Sequence, residues 1–216
     1  MALGQQPVVG LDIGTSAVRA AIVSTGRGGK VSLQAFGQVP LPSGSVVDGE
    51  IRDEGAVAEA ISQLWKRAKL RSKRAVLGVS NQRVIVRQID LPYLEEKEFK
   101  ASLRFQIADQ IPMSVEDAEL DFQVLEEYEA ENQERMMRVL LIAAATDMVE
   151  SFVAAAVAAG IEPVGVDLTP FAISRAVSAA SRGEVGLPGP EAIIDVGAGV
   201  SNIVIHVNGE PRFVRI

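Results

Sequence analysis

The chain has 216 residues, enough for one large domain or two modest ones, and its 48% hydrophobic and 23% charged residues are typical of a soluble globular protein. A formal net charge of −7 argues against a nucleic-acid-binding protein, because such proteins neutralise phosphates with an excess of Lys and Arg. The absence of cysteine excludes disulfides and thiolate metal sites. The single histidine, His206, excludes a multi-histidine metal centre.

The longest apolar runs, residues 139–145 and 152–159, are too short to cross a bilayer, which takes about 20 residues. The N-terminus has no basic segment followed by an apolar one, as a signal peptide would. We therefore predict a cytoplasmic protein with no membrane span.

The first 80 residues predict three strands, a helix and a fourth strand. Two β-rich runs, 8–13 and 17–24, flank the turn Gly14-Thr15-Ser16, the sequence GRGG at 26–29 predicts a second turn, and VSLQAFGQV follows as a third strand. Asp53 is placed to cap a helix that runs to about Leu70, and AVLGVS follows as a buried strand. This order is typical of an α/β protein.

Residues 81–145 predict a compact β-α-β-β unit inserted into this pattern. Its helix carries Phe99, Leu103 and Ile107 on one face. The pattern then resumes with a helix from Asp147 to Gly160, for which Asp147 and Glu150 have the spacing of a capping box. A strand, IEPVGVD, and a helix with Pro170 in its first turn follow.

The Gly- and Pro-rich segment 182–190 predicts a linker, and the β-β-β plan of the N-terminus begins again after it. The apolar run before Gly14 contains Asp12, and AIIDVGAGVSNIVIHV repeats the arrangement with Asp195. A carboxylate at the end of a buried strand needs a cation or hydrogen-bond donors near it. The repeat therefore predicts two facing turns that share one ligand.

Polyphosphate and Mg²⁺ would fit such a pair of turns. Asp12 and Asp195 would hold the metal directly or through its waters. Gly14, Gly197 and Gly199 would adopt positive φ so that an anion can approach the backbone. Hydroxyl donors would come from Thr15, Ser16 and Ser201. Asp and Gly are also common in turns for conformational reasons alone, so it is the paired occurrence that carries the prediction.

LDIGTSAVRAAIV and IIDVGAGVSNIVI resemble the two phosphate motifs of the actin-like ATPases, the superfamily of actin, Hsp70 and the sugar kinases. Within it, residues 103–125, 158–173 and 209–216 resemble the PilM family of type IV pilus assembly, and next the FtsA family of cell division. The resemblance implies an α/β, ribonuclease H-like βββαβαβα fold with an inserted subdomain. In family terms, 1–80 and 146–188 would form subdomain 1A, 81–145 the 1C-like insert, and 191–216 the start of subdomain 2A.

The same resemblance implies ATP and Mg²⁺ as cofactors, and as partner the N-terminal cytoplasmic tail of an inner-membrane protein of the PilN type, bound between subdomains 1A and 1C. The protein would then lie at the inner face of the cytoplasmic membrane through partners, with self-association also open. Family members continue well beyond residue 216, so this chain would hold only the phosphate end of ATP. Thr169 stands before Pro170 where hydrolysing relatives have a carboxylate, which favours ATP binding over hydrolysis.

Two other functions remain open at this point. The phosphate turns alone also fit a small-molecule (sugar or acyl) kinase, for which Asp167 would be the nearest candidate base. An FtsA-like division protein would carry a membrane-anchoring helix at its C-terminus.

Four smaller features remain, and the first two have two interpretations each. Arg19 either faces phosphate or points outward from the strand. Six of the 21 basic residues lie between Lys66 and Arg74, which is either a solvated helix end or a contact for anionic lipid or an acidic partner. The acidic segment 126–134 predicts an exposed hairpin tip. His206 is predicted to have a structural role, on one face of a strand.

Overall fold

The structure is a computed structural model, and it describes residues 7–26, 30–180 and 189–216. The strands are β1 (Val9–Ile13), β2 (Ala17–Thr25), β3 (Val31–Pro40), β4 (Val46–Val47), β5 (Glu50–Ile51), β6 (Arg74–Val79), β7 (Val84–Pro92), β8 (Ala118–Glu129), β9 (Arg135–Ala145), β10 (Glu162–Leu168), β11 (Pro190–Val196), β12 (Ser201–Val207) and β13 (Glu210–Arg215). The helices are α1 (Glu54–Arg67), α2 (Glu96–Ile107), α3 (Thr146–Ala158) and α4 (Thr169–Ala180), with a 3-10 turn at Val115–Asp117.

A five-stranded sheet with the order β10-β6-β1-β2-β3 forms the larger core. β1 pairs antiparallel with β2 and parallel with β6, and β10 runs parallel to β6. α1 and α3 pack against each other and against this sheet. Leu11, Ile61 and Leu77 are among the fully buried side chains between them. The capping role predicted for Asp53 is confirmed, since its Oδ1 accepts the Ala56 N–H at 2.9 Å.

A second core lies between α2 and a three-stranded sheet with the order β7-β9-β8. Phe99, Leu103 and Ile107 are buried on one face of α2, as their spacing predicts. The ring of Phe99 meets the ring of Phe122 edge to face, with 4.6 Å between centroids. The predicted β-α-β-β order of elements is thus present, with β8 at one open edge of its sheet.

The third sheet has the order β11-β12-β13 and packs on α4 through β12. Two side-chain hydrogen bonds join it to the preceding part of the chain. The Ser80 hydroxyl donates to Asn202 Oδ1 at 2.7 Å, and Gln88 Nε2 donates to the carbonyl of Pro211 at 3.3 Å. The first bond ties β12 to the residue that follows β6, the parallel neighbour of β1 in the large sheet.

One prediction about α3 needs correction and another is confirmed. The capping box at Asp147 and Glu150 is wrong, because α3 begins at Thr146 and its cap residue, Ala145, has no side-chain hydrogen bond. The Asp147 carboxylate instead accepts from the guanidinium of Arg83 at 2.6 Å. The predicted end of α3 is confirmed by Gly160, which has φ +73°.

Two predictions fall on segments outside the described residues: most of the turn at 26–29 and most of the linker at 182–190. The described part of the chain contains no helix long and apolar enough to cross a membrane.

Candidate functional site

The two hairpins that contain the aspartates have the same register. Asp12 lies directly across from Arg19 in the β1–β2 hairpin, and Asp195 lies directly across from Asn202 in the β11–β12 hairpin. In both cases one further residue pair separates the aspartate from the turn. The internal repeat seen in the sequence is therefore a repeat of geometry.

Each turn is closed by the N–H of its first glycine. Gly14 donates to the carbonyl of Ala17 at 3.1 Å, and Gly197 donates to the carbonyl of Val200 at 3.0 Å. The prediction that Gly14, Gly197 and Gly199 adopt positive φ is wrong, because none of the three lies in that region. Crowding explains the glycines instead. A Cβ on Gly197 would lie 2.5 Å from the Val200 oxygen, and one on Gly14 would lie 3.3 Å from the Ala17 oxygen.

The two turns contact each other through Gly199 and Thr15. A Cβ on Gly199 would lie 2.6 Å from Oγ1 of Thr15, closer than real Cβ atoms come to such neighbours, and 3.1 Å from its Cγ2. The close approach of the hairpins therefore depends on the missing side chain at residue 199.

Between the hairpins lies a cleft of about 760 Å³. Seven of the nine predicted site residues line it: Asp12, Gly14, Thr15, Ser16, Arg19, Asp195 and Gly197. Gly199 and Ser201 do not. Gly199 forms the contact between the turns, and Ser201 is exposed and paired with Val196. Because side chains alternate along a strand, Ser201 faces away from the side on which its neighbour Asn202 meets Asp195.

Asp12 forms an ion pair inside the cleft. Arg19 Nη1 lies 3.0 Å from Oδ2 of Asp12, and Arg19 Nε donates to Oε1 of Gln38 at 3.2 Å. Neither interpretation of Arg19 from the sequence anticipated this pairing. The guanidinium compensates the charge of Asp12 while leaving part of both side chains exposed to the cleft.

Asp195 has a neutral partner where Asp12 has a cation. Asn202 Nδ2 donates to Oδ2 of Asp195 at 3.0 Å, and Oδ1 of Asn202 accepts from the Ser80 hydroxyl at 2.7 Å. Asn202 is only 4% exposed, so both ends of its amide are satisfied within the protein. Within the described residues no cation pairs with Asp195, and its negative charge is left for the cleft.

The groups that line the cleft fit a hydrated magnesium ion and phosphate oxygens. Carboxylate and hydroxyl oxygens are hard ligands of the kind Mg²⁺ prefers, with several of its waters retained. Thr15 and Ser16 supply hydroxyls next to the two carboxylates. No group of three or more Asp, Glu or His side chains converges anywhere in the described chain, so a site that binds metal through protein ligands alone is not indicated there.

The first turn of α4 closes one side of the cleft. A Cβ on Gly78 would lie 3.2 Å from Oγ1 of Thr169, so the missing side chain at 78 lets α4 approach β6 closely. Asp167, the candidate kinase base, also borders the cleft, but its carboxylate pairs with the guanidinium of Arg175. This pairing does not favour a role as a free base.

A second cavity, the groove, has a volume of about 790 Å³. It is bounded by β8 at Glu119–Gln123, by β9, α3, β10 and α4, and by the turn at Gly209–Pro211. Phe171, Ser174 and Arg175 line it from α4, and Val166 lines it from β10. Asp167 borders both cavities.

His206 lies next to the turn that borders the groove. It is 3% exposed, and its Nδ1 accepts from the N–H of Gly209 at 3.3 Å. Its Nε2 has no hydrogen-bond partner in the described residues, and the nearest carboxylate oxygen, on Glu191, lies 3.6 Å away. Its burial and its bond to the turn agree with a structural role.

The sequence matches the model of the family described as Type IV pilus assembly protein PilM over residues 10–216. The chain belongs to the PilM family. The predicted family resemblance is thus confirmed.

Solved structures agree with this family. The chain is 29% identical to a protein in a structure titled "PilM-PilN type IV pilus biogenesis complex", with a TM-score of 0.83 over 97% of this chain and 60% of that chain. This chain therefore spans well under two thirds of that relative's length. The cytoplasmic domain of EpsL, an inner membrane component of the type II secretion system of Vibrio cholerae, matches over 96% of this chain and 70% of its own, with 14% identity and a TM-score of 0.56. The predicted α/β, actin-like fold class is confirmed.

The sequence analysis missed Ser80 and Asn202. A signal for Asn202 was available, because it follows Asp195 by 7 residues, the same spacing at which Arg19 follows Asp12. Ser80 carried no such signal, since it reaches Asn202 only through tertiary contact.

Proposed function

We propose that this PilM-family chain is a nucleotide-responsive, actin-like scaffold of type IV pilus assembly. Its groove binds the N-terminal cytoplasmic tail of an inner-membrane protein of the PilN type, and its cleft binds the phosphate end of ATP with Mg²⁺. The observation that carries the proposal is the match to the PilM-PilN complex structure together with an open groove of peptide size. Through its partner the protein would be held at the inner face of the cytoplasmic membrane.

The shape of the groove supports a peptide ligand. One wall is β8, an edge strand of its sheet, and an extended peptide can add to such an edge. The opposite wall offers apolar contacts at Val166 and Phe171. Arg175 stands beside them as a charged group that could fix the register of a peptide.

The difference between the two aspartates supports a division of roles in the cleft. Arg19 already compensates Asp12, so Asp12 suits an indirect contact with Mg²⁺ through water. Asp195 keeps its negative charge and is oriented by Asn202, which suits a direct or water-mediated ligand. When bound, Mg²⁺ would neutralise phosphate charge at this point. The N–H groups of Gly14 and Gly197 are used within the turns and are not available to phosphate.

In family terms, we assign 1–80 and 146–188 to subdomain 1A, 81–145 to the 1C-like insert and 191–216 to the start of subdomain 2A. The groove then lies between 1A and 1C, and the cleft lies between 1A and 2A. The assignment is supported by the separate hydrophobic cores of the first two sheets.

The proposal is tested by titrating an N-terminal peptide of a PilN-type protein into the chain by calorimetry. Val166→Trp places an indole in the groove and should weaken binding at least about tenfold, since an added large side chain blocks a packed contact. Val164→Trp is the matched control, because Val164 lies on the same strand with 38% exposure against 39% for Val166, but outside the groove. Absence of saturable binding to the folded chain, or equal losses in the two variants, would refute the peptide site.

The cleft is tested separately by calorimetry with ATP and Mg²⁺. Asp195→Ala should abolish the Mg²⁺ dependence of binding, whereas Asp12→Ala should reduce it less, because Asp12 is already paired. A larger effect at Asp12 would reverse the assignment of the two carboxylates.

A further inference from the structure

Six cations follow one another on the surface where α1 ends and β6 begins. We call this the basic strip: Lys66, Arg67, Lys69, Arg71, Lys73 and Arg74. The first two belong to the last turn of α1, and Arg74 is the first residue of β6. The strip occupies the N-terminal ends of the parallel strands, where the N–H of Glu162 at the start of β10 donates to the carbonyl of Lys73 at 2.8 Å. This is the end of the sheet opposite to the β1–β2 turn.

The backbone between α1 and β6 is fixed so that the cations point outward. Leu70 and Ser72 are buried, whereas Lys69, Arg71 and Lys73, which alternate with them, are exposed. Trp65 stabilises this arrangement, because its indole N–H donates to the carbonyl of Ser72 at 2.8 Å and its own carbonyl accepts the Leu70 N–H at 3.0 Å. The three cations are thus presented on one side of an ordered loop.

None of the six cations forms an ion pair with a carboxylate of the described chain, although most other described arginines do. A solvated helix end explains only part of this. The negative pole of α1 stabilises Lys66 and Arg67, but its effect falls off within the last turn. Lys69, Arg71 and Lys73 lie beyond that turn, and within the described residues none of them forms an ion pair that would offset their mutual repulsion.

The strip has the form of a docking surface for a broad negative surface. Its residues line neither the cleft nor the groove, so a ligand held in either cavity would not cover the strip. Juxtamembrane segments and amphipathic helices bind anionic lipid headgroups through clusters of four to eight Lys and Arg, and the strip has six such residues. The net charge of the whole chain is −7, so this positive patch is a local feature of an otherwise acidic protein.

We propose that the basic strip docks the protein on the anionic lipid surface of a membrane. The contact is electrostatic, and salt at about 0.1–0.15 M screens it beyond about 8–10 Å. It leaves both cavities accessible, because other residues line them. It is independent of the peptide and nucleotide sites proposed above. Each cation close to an anionic lipid surface strengthens binding about fivefold.

The test is co-sedimentation of the 216-residue chain with vesicles made of equal amounts of phosphatidylcholine and phosphatidylglycerol, and with vesicles of phosphatidylcholine alone. The strip variant is the triple substitution Lys69→Gln, Arg71→Gln and Lys73→Gln, whose side chains are all exposed, so circular dichroism should show the native fold. We expect binding to the anionic vesicles only, weakened about 100-fold in this variant and by added salt.

The matched control removes the same charge elsewhere. Lys30→Gln, Lys97→Gln and Arg215→Gln replace exposed cations that form no ion pair within the described residues, and this variant should bind within about threefold of the wild type. Lack of binding by the wild type, or equal losses in the two triple variants, would overturn the proposal. The last measurement is binding of the chain to soluble polyglutamate at the same concentration of negative charge as the anionic vesicles. Weaker binding to polyglutamate than to the vesicles supports a lipid surface. Tighter binding to polyglutamate would instead indicate an acidic polypeptide as the partner.

Discussion

Asn202 joins the two parts of the cleft, and its removal gives the sharpest test of the geometry. Its buried amide donates to Asp195 and accepts from Ser80. A hydrogen bond to a charged group contributes about 1.5–3 kcal/mol and one between neutral groups about 0.5–1.5 kcal/mol. Because Asp195 and Ser80 are half-buried, water can replace part of what is lost. We expect Asn202→Ala to lower the free energy of unfolding by about 2 kcal/mol.

Asn202→Asp keeps the shape and changes only the chemistry. It places a second carboxylate where the amide now donates at 3.0 Å to Asp195, so two like charges would share the site at neutral pH. Such a pair raises the pKa of one carboxyl. A group with a raised pKa in the folded state favours folding at low pH, and this contribution is lost as pH rises through that pKa. The variant should therefore be less stable than Asn202→Ala at pH 7 and recover on acidification.

Urea unfolding followed by far-ultraviolet circular dichroism measures both variants, and hydrogen exchange of the β12 amides reports the local effect. Asn132→Ala is the control, since Asn132 lies at the exposed tip of the β8–β9 hairpin and bonds only within it. A change at Asn202→Ala no larger than in this control would refute the inferred bridge. So would an Asn202→Asp variant whose stability relative to wild type is the same at pH 7 and pH 4.

Two further predictions follow from other contacts. The side-chain hydrogen bond from Arg83 lowers the pKa of Asp147 below its usual 3.8. The pair therefore stabilises the fold above that pH, and this stabilisation is lost as the carboxyl group protonates. Asp147→Asn should flatten the fall in the free energy of unfolding between about pH 5 and pH 2, and an unchanged pH profile would contradict this. Gly199→Ala brings a Cβ against Thr15 and should lower the free energy of unfolding by about 1–3 kcal/mol, measured by urea unfolding. Gly165→Ala is the control, because its Cβ would meet its nearest neighbour at 3.8 Å, and it should change this free energy by less than about 1 kcal/mol. Equal effects would refute the tight contact of the turns.

The elements that sequence predicts well here are those with local causes. Asp53 caps α1 because its carboxylate reaches the Ala56 N–H three residues on. Phe99, Leu103 and Ile107 share a face because of helical periodicity alone. The paired Asp-Gly turns also have a local cause, since each hairpin has its own sequence pattern and the two patterns can be compared with each other in the sequence.

What sequence could not supply depends on contacts between distant segments. Asp147 has the spacing of a capping box, yet tertiary structure gives its carboxylate to Arg83, 64 residues away. Gly14 and Gly197 line the cleft and Gly199 lies where the turns meet, but positive φ was the wrong reason for these glycines, because crowding by Val200 and Thr15 cannot be read from a local pattern. The groove is farther still from local prediction, since its walls come from β8, α4 and the 209–211 turn.

The position of α4 ties the two cavities together. Thr169, Ile173 and Ala176 line the cleft from this helix, and Phe171 and Arg175 line the groove from it. The cavities are therefore separated by one helix whose first turn packs closely on Gly78. A displacement of α4 toward one cavity necessarily enlarges or narrows the other. Any variant in this helix must for that reason be assayed for peptide and nucleotide together, since a change in one affinity alone does not locate the site that was altered.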